Sequence, residues 1–329
     1  MSTMKKILAI SLLVLSFPIV GSAVSYTKAL VQVPVAHGDT VPGYLLVPDA
    51  TAELSRANGT EHGLPAIVAL HDHGAWFTIG KEKLTSPLDT TKQAESLRWI
   101  NKFYEGQFVA DTLASRGYVV LVIDALYWGE RPPSPLKGGD VNTLSVDSLK
   151  RLNKRLKNAQ PEFYQAYLEK TGEVWFERIL TDDKACVDYL LSLPYVDKER
   201  IGVWGFSMGA YRAWQLAAED PRIAFCAAAN WMQRSVTETN SDAAQSWQLK
   251  NVSSWSMYRP SKDSTTYAAI ASRIAPRPFL LQYGMRDKLF PDPVLKEGQW
   301  PQLTIQAIDS EHRFTRTHLQ LLLEWLRNL

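Results

Sequence analysis

The chain has 329 residues, of which 46% are hydrophobic, and it carries 36 Lys and Arg against 34 Asp and Glu. That length and core content suit one enzyme-sized α/β domain, and neither an internal repeat nor a low-complexity tract interrupts it. The near-neutral charge argues against nucleic acid as a partner.

Read from the start, Lys5-Lys6, the apolar run 7–20 and Gly21-Ser22-Ala23 have the three regions of a bacterial secretory signal peptide. The expectation is a signal peptide over 1–23, a single domain over 24–329, and a protein exported to the periplasm or beyond. Losing Lys5 and Lys6 would leave 34 basic against 34 acidic side chains. The apolar run is too short for a membrane span, and no later run reaches that length, so no stable span is expected after cleavage.

Residues 29–35 and 43–48 read as an opening hairpin, and the continuous apolar run 64–70 as a strand buried on both faces. His71-Asp72-His73 follows that strand. A His-x-His at a strand end can begin a zinc site, but such a site needs further ligands. His37 and His62 lie in early turns that converge poorly on it, so no metal and no cofactor is expected. His71 is expected to hydrogen-bond within its loop, with Asp72 holding it. Residues 103–116 read as a helix closed by Gly117, and 118–124 as a second buried strand.

An insertion at about 132–172 comes next, with the run Lys150-Arg151-Leu152-Asn153-Lys154-Arg155-Leu156-Lys157, most simply a solvated helix face. Residues 175–193 form a helix that leads through Pro194 into the short strand 200–204. Gly205-Phe206-Ser207-Met208-Gly209 sits between that strand and a helix over 210–218. A G-x-S-x-G at a strand-to-helix junction is a nucleophile elbow, a turn so tight that only small residues fit two positions either side of the serine. It lifts Ser207 toward a base and puts the Met208 N–H at a helix N-terminus, where it can bind an oxyanion.

Residues 223–229 read as a further strand, and a second insertion spans about 231–271. Strand 277–284 is followed by Asp287 in a turn, with Asp292 between prolines as the runner-up acid. Strand 304–308 is followed by His312, and the last helix runs over 315–326. The order Ser, Asp, His is the order an elbow serine requires of its partners. His312 is therefore the expected base and Asp287 the acid that orients it. His318, inside the last helix, is expected to be an exposed or half-buried helical residue. Alternating strands and helices imply a mostly parallel sheet with helices on both faces and ligands at the carboxyl ends of the strands. Trp76, Trp128 and Trp231 each lie just past such an end, which makes them candidates to line a substrate; Trp247 and Trp255 lie in the second insertion. Cys186 and Cys226 sit among apolar neighbours, and no disulfide is expected between them.

Leu70-His71-Asp72-His73-Gly74, Asp124 with Gly129-Glu130-Arg131, the elbow, Gly284-Met285-Arg286-Asp287 and His312 together resemble the α/β-hydrolase superfamily over nearly all of the 24–329 segment. The pattern is similar to its secreted dienelactone hydrolase and acetyl xylan esterase-like branch. The resemblance implies the α/β-hydrolase fold, with cap-like insertions. It also implies a second oxyanion N–H from the loop after the third strand, which falls on the backbone of His73; Asp72 stands where that family usually has glycine. The expected activity is a serine carboxylesterase acting on a carbohydrate or other small ester. A serine peptidase of oligopeptidase-like type and a non-catalytic binding protein on the same fold are the alternatives. Glu130-Arg131 is expected to brace a loop.

Overall fold

A computed structural model describes residues 23–35, 38–49, 63–133, 144–231, 267–289 and 295–329. The expected signal segment up to residue 22, His37, His62, Asp292, Trp247, Trp255 and large parts of both insertions lie outside the described residues.

Eight strands form one sheet: β1 (Tyr26–Pro34), β2 (Thr40–Pro48), β3 (Leu64–Leu70), β4 (Val119–Ile123), β5 (Val196–Phe206), β6 (Phe225–Ala229), β7 (Phe279–Gly284) and β8 (Leu303–Ile308). Their spatial order is β1-β2-β4-β3-β5-β6-β7-β8. β1 and β2 form an antiparallel hairpin, β2 joins β4 antiparallel, and every later pairing is parallel. This is the α/β-hydrolase architecture, in agreement with the sequence.

The side-chain period of two in a strand explains the layers. In β3, Ala66, Val68 and Leu70 point into one core, and Ile67 and Ala69 into the other. In β5, Ile201 and Val203 belong to the first core, and Trp204 and Phe206 to the second. Helices α3 (Val146–Thr171), α4 (Trp175–Ser192) and α5 (Met208–Glu219) supply the first core, through residues such as Leu152, Trp175 and Trp214. Helices α1 (Gln93–Phe103), α2 (Val109–Ser115) and α7 (Arg316–Leu326) supply the second, through Trp99, Leu113 and Leu322. A short helix, α6 (Tyr267–Ala271), precedes β7.

The single helix expected over 103–116 is instead two. Helix α1 ends at Phe103, Glu105 and Gly106 both take positive φ (50° and 78°), and α2 begins at Val109. The Tyr104 and Gly106 N–H groups both bond back to the Ile100 carbonyl, which closes α1 before the chain can continue as helix. Within the first insertion, α3 buries Leu149, Leu152, Leu156 and Tyr164 and leaves Lys150, Arg151, Lys154, Arg155 and Lys157 exposed. The basic run is a solvated helix face. Cys186 and Cys226 are both buried free thiols.

Candidate active site

Strand β5 delivers the chain into a turn whose conformation is set by its glycines. Ser207 has φ 55° and ψ −120°, and α5 begins at the next residue. A Cβ on Gly205 would lie 2.1 Å from the Gly209 carbonyl oxygen, and one on Gly209 would lie 1.9 Å from that of Leu70. The elbow therefore presses against the end of β3, and side chains are excluded at both positions. The Ser207 N–H donates to the Ala229 carbonyl at 2.9 Å, which ties the turn to β6. Its hydroxyl makes no capping bond to α5. Met208 opens that helix, so its N–H has no acceptor within the helix.

The Ser207 Oγ lies 2.9 Å from His312 Nε2, and His312 Nδ1 lies 2.7 Å from Asp287 Oδ2. The three side chains come from the ends of β5, β8 and β7, at sequence separations of 105 and 25 residues. Asp287 is buried, and its other oxygen accepts the Leu289 N–H at 2.8 Å. Phe206, beside the serine, lies against the His312 ring at 5.1 Å between centroids. The loops after β7 and β8 are clasped together: Met285 N–H donates to Ile308 O, Arg286 N–H to Ser310 O, and the Arg286 guanidinium to Asp309. Asp309 thus faces Arg286 and solvent.

The loop after β3 lies against the elbow and is held from below. His71 is fully buried; its Nδ1 donates to the Asp72 carbonyl at 2.8 Å, and its Nε2 accepts the Ala125 N–H at 3.1 Å. Burial and the nearby Lys83 hold its pKa well below the ordinary imidazole value. The peptide carbonyl of Asp72, not its carboxylate, holds this ring. The carboxylate instead accepts from Tyr104 Oη at 2.6 Å and Trp99 Nε1 at 3.1 Å. The Lys83 Nζ donates to the carbonyls of both Asp72 and His73 at 2.9 Å, and the Trp128 indole also donates to His73 O. Burial lowers the Lys83 pKa to about 8. The His73 ring accepts the Ala75 N–H and meets Gln160 of α3, so α3 fixes the outer side of the loop.

The three tryptophans do lie past strand ends, but they differ in reach. Trp128 is completely buried, stacked on Phe77 and packed against Trp175, and serves the loop by its bond to His73. Trp231 is 9% exposed and packs on Tyr211. Trp76 is partly exposed and donates to Glu95. The expectation that Trp128 presents a face to substrate is therefore corrected: the apolar face of its ring is used in the core. Glu130 and Arg131 are bracing residues. Glu130 meets Lys81, which also pairs with buried Asp124, and Arg131 joins Asp182 at 2.7 Å.

Two residues near Asp287 carry more than their sequence context promised. Asn230, one residue past β6, has φ 57° and donates its Nδ2–H to Asp287 Oδ2 at 3.0 Å. His318 is fully buried, not exposed or half-buried, and its Nε2 lies 3.1 Å from Asn230 Oδ1. Burial lowers its pKa to about 3. A polar residue at the end of the apolar run Phe225-Cys226-Ala227-Ala228-Ala229 was the available signal for Asn230. For His318 the only local signal was its place three residues after the helix cap, where it completes a capping box with Thr315.

Among the described residues no helix is long and apolar enough to cross a membrane. Nor does any group of three or more His, Cys, Asp or Glu among them have the spacing to hold a metal ion.

Comparison with known proteins agrees with this architecture. Residues 101–248, which include the elbow, match the model of the dienelactone hydrolase family. A curated Bacillus subtilis (strain 168) protein named "Putative hydrolase YtaP" is 29% identical over 243 residues, which cover 74% of this chain and 67% of that one. A structure from Bacteroides fragilis NCTC 9343, described as a "putative acetyl xylan esterase", superimposes with a TM-score of 0.54 at 16% identity, covering 92% of this chain and 79% of the other. The acylaminoacyl peptidase of Pyrococcus horikoshii superimposes with a TM-score of 0.53 at 16% identity, covering 92% of this chain and 41% of that one. At such identities the two structures show the shared fold.

Proposed function

We propose that this chain, which has the α/β-hydrolase fold and matches the dienelactone hydrolase family model over residues 101–248, is a serine carboxylesterase acting on a small or carbohydrate ester. The observation that carries the reading is the hydrogen-bonded row from Ser207 Oγ through His312 to Asp287, at 2.9 and 2.7 Å. In the proposed reaction His312 Nε2 takes the Ser207 proton as Oγ attacks the ester carbonyl. Asp287 keeps the His312 Nδ1–H directed at itself and stabilises the imidazolium. The Met208 and His73 N–H groups hold the oxyanion. Collapse of the tetrahedral adduct expels the alcohol, which takes the proton from His312. Water then attacks the acyl-serine by the same route, and Ser207 is restored.

Support for the substrate class is the partly exposed Trp76 in the loop after β3, whose indole face suits a sugar ring or an aryl group. A structure described as a "putative acetyl xylan esterase" has the same fold, so the fold is compatible with such a substrate. Export is proposed from Lys5-Lys6, the apolar run 7–20 and the small residues 21–23.

The test is hydrolysis of p-nitrophenyl acetate, butyrate and octanoate, acetylated xylan and an acyl-peptide amide, with Ser207→Ala as control. Turnover on the esters that falls by roughly four to six orders of magnitude in Ser207→Ala is expected. Turnover on the peptide alone would indicate a peptidase. A Ser207 that neither turns over any ester nor reacts with a fluorophosphonate would indicate a hydrolase fold used for binding.

A further inference from the structure

Behind the Ser207–His312–Asp287 row lies a second, fully buried pair, and its proton positions follow from elimination. The Asp287 carboxylate is an acceptor, so the Asn230 atom 3.0 Å from it is the amide nitrogen. The same nitrogen also faces the Glu311 carbonyl at 3.4 Å, a second acceptor. Asn230 Oδ1 must then point at His318 Nε2, 3.1 Å away, and that ring nitrogen must carry hydrogen. At the other side of the ring the backbone N–H of Thr315 points at His318 Nδ1 at 3.1 Å, which makes Nδ1 the acceptor. The Thr315 hydroxyl, 2.8 Å from Nδ1, adds a second donor. The tautomer of His318 is thus set by the cap of α7.

We propose that Asn230 and His318 are positioning residues of the proposed esterase. They form a hydrogen-bond relay from the N-terminus of α7 that fixes the Asp287 carboxylate and tunes its pull on His312. The inference rests on the reading of Ser207, His312 and Asp287 as the reacting row. Donors converge on one oxygen: Asp287 Oδ2 takes the His312 Nδ1–H at 2.7 Å and the Asn230 Nδ2–H at 3.0 Å. The carboxylate can rotate neither toward nor away from His312 without breaking one of these bonds or that of Oδ1 to Leu289 N–H. Asn230 is held in a left-handed conformation (φ 57°), which asparagine tolerates better than most side chains, and its N–H is tied to the Gln282 carbonyl of β7. His318 is locked in turn by its own carbonyl, which accepts the Gln282 Nε2–H at 2.9 Å, and by the Phe314 ring at 5.2 Å. Facing His318 are Thr315 and Phe314 from its own segment, Asn230 from the end of β6 and Gln282 from β7. Asp287 is the charged group that acts on it from the loop after β7. Neutral His318 offers Asn230 a donor without adding a charge to the site.

The consequence is a defined change in chemistry when the relay is cut. Removing the Asn230 N–H leaves more uncompensated negative charge on Asp287, which favours the imidazolium of His312. It also frees the carboxylate to rotate, which slows the reaction.

The test measures the rate at which a fluorophosphonate phosphonylates Ser207 as a function of pH, in the full chain. The variants are Asn230→Ala, His318→Leu and His318→Gln, with Ser207→Ala as the blank and circular dichroism as the check of folding. The expected result is a roughly tenfold to hundredfold slower reaction in Asn230→Ala and His318→Leu, from loss of one hydrogen bond to or behind a charged group. The acid midpoint of the Asn230→Ala profile should move upward by roughly half a unit to one unit. His318→Gln, which can still donate to Asn230, should recover most of the rate. If Asn230→Ala fails to fold, the His318→Leu and His318→Gln pair carries the same comparison without touching Asp287. Folded variants that react at the wild-type rate with an unmoved midpoint would overturn the relay while leaving the esterase reading in place. A wild-type chain whose Ser207 does not react would overturn both.

Discussion

Lys83 shows how a single side chain can hold a site it does not line. It is completely buried, donates to two successive carbonyls in the loop after β3, and lies over the Trp99 ring at 4.8 Å. Burial disfavours its charge and brings its pKa down to about 8, while Asp72 and Glu95 oppose the shift. The sign of the pH effect follows. Between about pH 8 and the ordinary lysine value the unfolded chain binds a proton that the folded one has released, so stability rises with pH across that window. Below pH 8 both states are charged and the folded one bears the burial cost. Urea unfolding of wild type and Lys83→Met at pH 7.5, 8.5 and 9.5 should show a stability gain with pH of about 1 kcal/mol per unit in wild type that the variant lacks. Equal pH slopes would remove Lys83 from this role. Nothing in the sequence around residue 83 announced it, because a lysine in a loop reads as a surface residue until the tertiary contacts close over it.

At the scale of elements, the elbow depends on backbone contact between β5, α5 and β3. The strand-turn-helix signature was legible because every part of it lies within a few consecutive residues, and its glycines are where the turn needs them. Gly209 illustrates the physical reason: the methyl of an alanine there would sit 1.9 Å from the Leu70 carbonyl, and backbone cannot retreat as a flexible side chain does. Gly209→Ala should therefore destabilise the fold by about 2 kcal/mol or more and displace the loop that carries His73. Thermal unfolding together with the rate of Ser207 labelling would check both effects; an unchanged melting temperature would contradict the close contact. The break between α1 and α2 was less legible. Residues 103–116 keep a helical hydrophobic spacing, yet the local cap at Ile100 and the positive φ of Glu105 and Gly106 decide the boundary.

At the scale of the whole fold, buried histidines among the described residues contribute to the loss of stability in acid. His318 titrates at about 3 in the folded chain because burial opposes its charge, and His71 is lowered well below the ordinary value for the same reason. Between about pH 6.5 and 3 the unfolded chain therefore binds protons that the folded chain does not. The stability these groups contribute is complete above about pH 6.5 and declines as the pH falls toward 3, by about 1.4 kcal/mol per unit for each fully affected histidine. Denaturation midpoints at pH 7, 5.5 and 4.5 should fall steeply in wild type and less steeply in His318→Gln. Parallel slopes would show that His318 is accessible to protons in the folded state.

Local chemistry was enough to identify the strands, the elbow and the turns that carry Asp287 and His312, since each is written in a few adjacent residues with a periodicity of its own. The order of these turns along the chain then predicted that they would meet at one end of a parallel sheet. What only the tertiary structure decided was the support beneath them. Asn230 and His318 stand 88 residues apart and become partners only when β6 and α7 pack beside β7. Trp128 follows a strand end, where the sequence alone suggests a surface for substrate, and Phe77 and Trp175 close over it in the fold. Periodicity reports which face of an element is apolar; it carries no record of which distant polar atom will be waiting there, and burial turns each such meeting into a requirement.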